Sequence, residues 1–165
     1  KNVITQSFGE FNLPEGKSLL SIGSEVGFAT DNVVDTNNLR ESLVATAKKF
    51  LNVPFLWGGR SFFGIDDSGF VQLLYKVHGI ALPRDPEQQA LHGTARDFVE
   101  ESEAGDLAFF EDAEGKIVHV GLVLSPFEII HASGKVRIDS LDFSGIYNAE
   151  QNKHTHKLRF VKTMI

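Results

Sequence analysis

The chain has 165 residues, 42% hydrophobic and 23% charged, enough to bury the core of one ordinary domain with a small appendage. A formal charge of −6, with no basic cluster denser than Lys48-Lys49, argues against a nucleic-acid partner, and no apolar run reaches the length of a membrane span. The absence of cysteine excludes disulfides, thiolate metal sites and thiol nucleophiles together.

Lys1 to Gln6 lacks the apolar stretch of a signal peptide, which leaves a removed leader open. Residues 1–34 are β-rich, with Val3, Ile4, Phe8, Phe11 and Ser18-Leu19-Leu20-Ser21-Ile22 in short alternations. Leu13-Pro14-Glu15-Gly16-Lys17 predicts the turn of a β-hairpin. The segment is either part of a small barrel domain or an extension packed on the main domain, residues 35–165.

A first helix opens at Asn38, which with Glu41 three residues on forms a capping-box pattern. Leu39, Leu43, Val44, Ala47 and Leu51 recur at helical spacing, and Val53-Pro54 ends the run. The glycine-rich loop Phe55-Leu56-Trp57-Gly58-Gly59-Arg60-Ser61 follows. A second helix starts near Asp67, buries Phe70, Val71, Leu73, Leu74 and Val77, and ends at Gly79. A short third helix has Asp85 as its cap, Pro86 at its first position, Gln88 to complete the box and Gly93 at its close. Arg84 reads as a local ion-pair partner of Asp85, and His92 fits a helix end.

The second half reads as strands: Leu107–Phe110, Ile117–Leu124, Glu128–His131, Val136–Asp139 and Leu158–Met164. Helices first and antiparallel strands after give an α+β fold, helices packed on an antiparallel sheet, preceded by the short β segment. His154-Thr155-His156 has the spacing of a metal pair, but in the polar stretch Asn152–Lys157 it is expected to form a solvated turn.

A papain-like site needs a nucleophile at a helix N-terminus, a histidine base on a facing strand and a third polar group to orient the imidazole. Position 67 lies at a helix start, and His119 and His131 lie on consecutive antiparallel strands. Here the resemblance becomes specific. Gly64-Ile65-Asp66-Asp67-Ser68-Gly69-Phe70 resembles the nucleophile motif of the NlpC-type cell-wall peptidases, G-[IV]-D-C-S-G-[FL]. Phe55-Leu56-Trp57-Gly58-Gly59 resembles their P-Y-x-W-G-G. Pro83-Arg84-Asp85 with Gln88-Gln89, then Gly105 to Phe110, His119-Val120-Gly121 and Ile130-His131-Ala132-Ser133 follow in family order over roughly residues 38 to 165.

The resemblance implies a papain-like domain related to enzymes that hydrolyse γ-D-glutamyl to diamino-acid bonds in peptidoglycan stem peptides, without cofactor or metal. By matching position, Asp67 stands in the place of the catalytic cysteine, His119 is the base and His131 the orienting residue. Asp66 and Ser68 match residues that hold the free amine of an L-alanyl terminus. Trp57 walls the cleft, Arg84 belongs to the substrate side, and Phe55 replaces a tyrosine that lies near the oxyanion. The implied partners are L-Ala-γ-D-Glu peptides, not nucleic acid. The implied location is the bacterial cell envelope, periplasmic or secreted, with cytoplasmic recycling as the other.

A carboxylate attacks a carbonyl poorly, so the chain as written is expected not to hydrolyse by the cysteine mechanism. Four readings of Asp67 stay open: a native aspartate in a pseudoenzyme that binds muropeptides, a deliberate replacement of cysteine, an oxidised cysteine transcribed as aspartate, and a two-histidine, one-carboxylate metal site with His119 and His131. Phe55 favours the first, because neither engineering nor oxidation of position 67 would alter it.

Overall fold

The computed structural model describes residues 38–165 in full and, before them, the backbone of four short strands: β1 (Asn2–Val3), β2 (Gly9–Leu13), β3 (Gly16–Leu20) and β4 (Glu25–Val26). β2 and β3 pair antiparallel with Leu13 opposite Gly16, the hairpin that the turn sequence predicts, and β1 pairs with β4. Whether this segment is a separate barrel or a packed extension lies outside the described residues.

Helix α1 (Leu39–Lys48) buries Leu43, Thr46 and Ala47. Asn38 precedes it but its side chain makes no cap hydrogen bond, so the expected capping box is not formed. The helix also stops before Leu51. Asn52 takes a left-handed conformation (φ 69°), and Leu51, expected on the apolar face, is 39% exposed. Two short strands, β5 (Arg60–Ser61) and β6 (Gly64–Ile65), fold the glycine-rich loop back on itself.

Helix α2 (Asp67–Val77) is the central helix. Every apolar residue that its sequence predicts as buried is buried, and Tyr75 joins them, its hydroxyl donating to the Gly105 carbonyl. The single turn α3 (Pro86–Gln89) has proline in its first turn, but Asp85 makes no side-chain cap bond.

The remaining strands are β7 (Thr94–Ala95), β8 (Leu107–Glu111), β9 (Ile117–Ser125), β10 (Glu128–Ser133), β11 (Lys135–Asp142), β12 (Gly145–Asn148) and β13 (Lys153–Thr163). Their order is β12-β11-β10-β9-β8-β13-β7, every pair antiparallel. A further β12–β13 pairing joins the two ends of the β12-to-β13 run, so the expected sheet closes into a six-stranded barrel. Closure removes the free edges that an open sheet exposes.

Strand alternation sorts the side chains into two cores. On β8, Leu107 and Phe109 face the helices, while Ala108 and Phe110 point into the barrel with Val123, Ile129, Leu141 and Ile146. On β9 and β10, Val120, Leu122, Ile130 and Ala132 belong to the helix-side core, where α2 packs. By the same alternation His119 and His131 point toward the barrel side. Asp106 anchors the helical half to the sheet: fully buried, it binds Arg40 and Arg96 at 2.8 Å each and accepts from the Glu103 N–H.

Candidate active site

Helix α2 presents its N-terminus to the rim of the barrel. Asp66 caps it: Oδ1 accepts from Gly69 N–H at 2.7 Å, and Oδ2 accepts from Gly58 N–H at 2.8 Å. The same carboxylate is paired with Arg84, whose other nitrogen donates to Ser68 Oγ at 2.7 Å. Arg84 therefore does not pair with Asp85. It ties the loop before α3 to the tip of α2. Gln89 adds a second tie, donating to the carbonyls of Ser68 and Pro83.

Asp67, the first residue of the helix, reaches β9. Its Oδ2 lies 3.0 Å from His119 Nδ1 and accepts from Val120 N–H at 3.1 Å. His119 Nε2 faces His131 Nδ1 at 2.8 Å, and His131 Nε2 faces Asp139 Oδ2 at 3.0 Å. Arg137 clamps Asp139 with two bonds, Nε to Oδ2 at 2.7 Å and Nη2 to Oδ1 at 2.9 Å. Position 67 and both histidines thus converge as the motifs imply. The relay runs one residue beyond the motifs, to Asp139, the last residue of the predicted strand Val136–Asp139.

With both carboxylates ionised, one proton in each link satisfies the relay, and the two imidazoles share the proton of the middle link. Burial pushes the Asp67 carboxyl up, but the hydrogen bond and charge of His119, with the N–H groups of Ser68 and Val120, outweigh it and leave it below the ordinary carboxylate range. At Asp139 burial is likewise overcome, by His131 and Arg137. His131 is driven down, first by burial and then by the charges of His119 and Arg137, against the pull of Asp139.

A third histidine joins the site. Lys153–Lys157 is the start of β13, not a solvated turn, and it carries His156 against the relay. The His156 ring stacks on His119 with centroids 4.1 Å apart and planes 26° apart, edge-on to Phe110 and His131. Burial and the neighbouring imidazoles push His156 down to about 3. His154, on the other face, bonds Asp142 at 2.9 Å. Asp67 and His131 lie on opposite nitrogens of His119, so these three do not surround one point as a shared metal site would require.

Two hollows meet at Val118, beside His119. One, of about 470 Å³, lies between Trp57, Asp85 with the first residues of α3, and Lys116, Ile117 and Val118. The other, of about 550 Å³, is lined by Phe110, Val118, Ser144, His154 and His156 among others. Trp57 is 86% exposed and Phe55 37%, so neither is core.

Comparison with known proteins agrees with this architecture. The NlpC/P60 family profile matches residues 52–158, and the chain belongs to this family of peptidoglycan hydrolases. The γ-D-glutamyl-L-lysine dipeptidyl-peptidase of Bacillus cereus is 37% identical over 123 residues, 73% of this chain but 36% of that enzyme. A crystal structure of an NlpC/P60 family protein from Bacillus cereus superposes with a TM-score of 0.69 at 27% identity, over 98% of this chain and 52% of that one. RipD of Mycobacterium tuberculosis, described as a non-catalytic NlpC/p60 domain protein with an adaptation to peptidoglycan binding, gives a TM-score of 0.60 over 78% of this chain and 98% of that one. At 21% identity that likeness speaks to the fold alone. The chain thus spans about a third of the enzyme and about half of the first structure. Among the described residues no helix is long and apolar enough to cross a membrane.

Proposed function

We propose that this chain recognises peptidoglycan stem peptides beginning with a free L-Ala-γ-D-Glu and does not hydrolyse them by the cysteine mechanism. The observation that carries the reading is the Asp67 carboxylate, held by His119 at 3.0 Å and by Val120 N–H at the position the motif gives to the nucleophile. In the family mechanism an imidazolium faces a thiolate; here the anion is a carboxylate. The contact between position 67 and His119 is kept, and with it the geometry of the cleft. A carboxylate is a poor nucleophile toward an amide, and loss of a triad nucleophile costs several orders of magnitude in rate.

In this reading Asp66 and Ser68, held in place by Arg84, receive the peptide ammonium, and Trp57 with Phe55 walls the cleft above it. Phe55 has no hydroxyl to offer an oxyanion, which matters little to a domain that forms none. The place of action is the cell envelope or the secreted wall space.

Calorimetric titration of the chain with L-Ala-γ-D-Glu-L-Lys tests the reading. Saturable binding is expected, weakened tenfold or more when the alanyl amine is acetylated. Equal affinity for both peptides, or no heat with either, overturns it.

A further inference from the structure

The geometry points to a divalent transition-metal site built from His119, His131 and His156. One nitrogen from each ring lies within 4.8 Å of the other two. Three strands supply them: β9 and β10, which pair directly, and β13, which β8 joins to β9.

What makes the cluster a metal site is the use of the outer nitrogens. His119 Nδ1 is taken by Asp67 at 3.0 Å, and His131 Nε2 by Asp139 at 3.0 Å. His156 Nδ1 is taken by the Thr155 hydroxyl at 2.9 Å. The nitrogens left over are His119 Nε2, His131 Nδ1 and His156 Nε2. A carboxylate behind a ligating imidazole fixes its tautomer and raises its basicity, and here two of the three ligands have one. Asp139 is itself clamped by Arg137, so that outer shell is rigid.

His119 Nε2 and His131 Nδ1 share a proton across 2.8 Å. Zinc bonds imidazole nitrogen at roughly 2.0–2.1 Å in a tetrahedral array, so the ion replaces that proton after a small spreading of the pair. The proton leaves to water. His156 now lies flat on His119, and ligation turns its ring edge-on. His156 is only partly buried and lines a hollow of about 550 Å³, which supplies both the room to turn and the path by which the ion enters. Three imidazoles leave a fourth position for water or a ligand group.

The experiment titrates the full chelator-stripped chain with Zn²⁺ by calorimetry and with Co²⁺ by visible absorption. One ion per chain is expected, with the intense bands of four-coordinate Co²⁺. His156→Ala and His156→Gln, checked for folding by circular dichroism, should each weaken binding at least 100-fold. Asp139→Asn should weaken it about 10- to 100-fold. His154→Ala, which removes the neighbouring surface histidine, should leave it unchanged. Absence of binding at millimolar Zn²⁺, binding that survives both folded His156 variants, or loss of binding in His154→Ala overturns the site.

Discussion

Gly121 on β9 leaves the space that His131 on β10 occupies: a Cβ built on Gly121 would fall 2.9 Å from the His131 Cβ and 2.7 Å from Ile129 Cδ1. The glycine in His119-Val120-Gly121 is therefore a packing requirement of the relay, not of the strand. Gly121→Ala should push His131 off His119 and cost about 1–3 kcal/mol of stability, as overpacking does. Denaturant unfolding checks the cost. The nitrogen-bound proton signals of the two imidazoles, which report the 2.8 Å link, should shift or vanish.

Asp106 makes stability depend on acid. Burial pushes its carboxyl up, but Arg96, the Glu103 N–H and Arg40 outweigh burial and hold it below its ordinary value of 3.8. The folded state thus binds this proton more weakly than the unfolded state. The contribution is fully present above about pH 4 and is lost as pH falls through the lowered folded value. Asp106→Asn should cost about 3 kcal/mol at pH 7, because it leaves two arginines facing a neutral amide. It should also flatten the fall in urea midpoint between pH 4 and pH 2. An unchanged acid limb in the variant would assign that limb to other carboxylates.

Trp57 separates recognition from stability. At 86% exposure it holds no core together, so Trp57→Ala should change stability by no more than about 0.5 kcal/mol. Because it walls the hollow above α3, the same change should weaken binding of L-Ala-γ-D-Glu-L-Lys by tenfold or more, about 1.4 kcal/mol. Paired thermal melts and peptide titrations distinguish the two effects.

Much of this arrangement is legible in the residues, for local reasons. Asp67 stands where the sequence starts a helix, and α2 follows with its apolar positions where the 3.6-residue period puts them. His119 and His131 lie in alternating runs, so their faces follow from parity. Asn38 and Asp85 show the limit of this: each has the residue type of a cap, yet neither side chain bonds to its helix. Arg84 chose Asp66, eighteen positions away, over its neighbour Asp85. Barrel closure is non-local, resting on the short strand Gly145–Asn148 that no periodicity marks. His156 is hidden for a local reason. Its signal, the alternation His156-Lys157-Leu158-Arg159-Phe160, begins two residues before the apolar run that marked the strand, and a histidine in a polar stretch reads as surface. Asp139 is recoverable from strand geometry: it shares a β11 face with Arg137, which lies opposite His131.

The role of the helix-tip carboxylate is tested most directly by product analysis on one peptide with two proteins. L-Ala-γ-D-Glu-L-Lys is incubated at saturation with the unaltered chain and with Asp67→Cys, and free L-lysine is measured over time. The account predicts that the unaltered chain returns the peptide intact and that the cysteine variant releases L-lysine, because the imidazole pair and Asp139 already stand in place behind position 67. Release of L-lysine by the unaltered chain, at a rate the cysteine variant does not exceed, would contradict it.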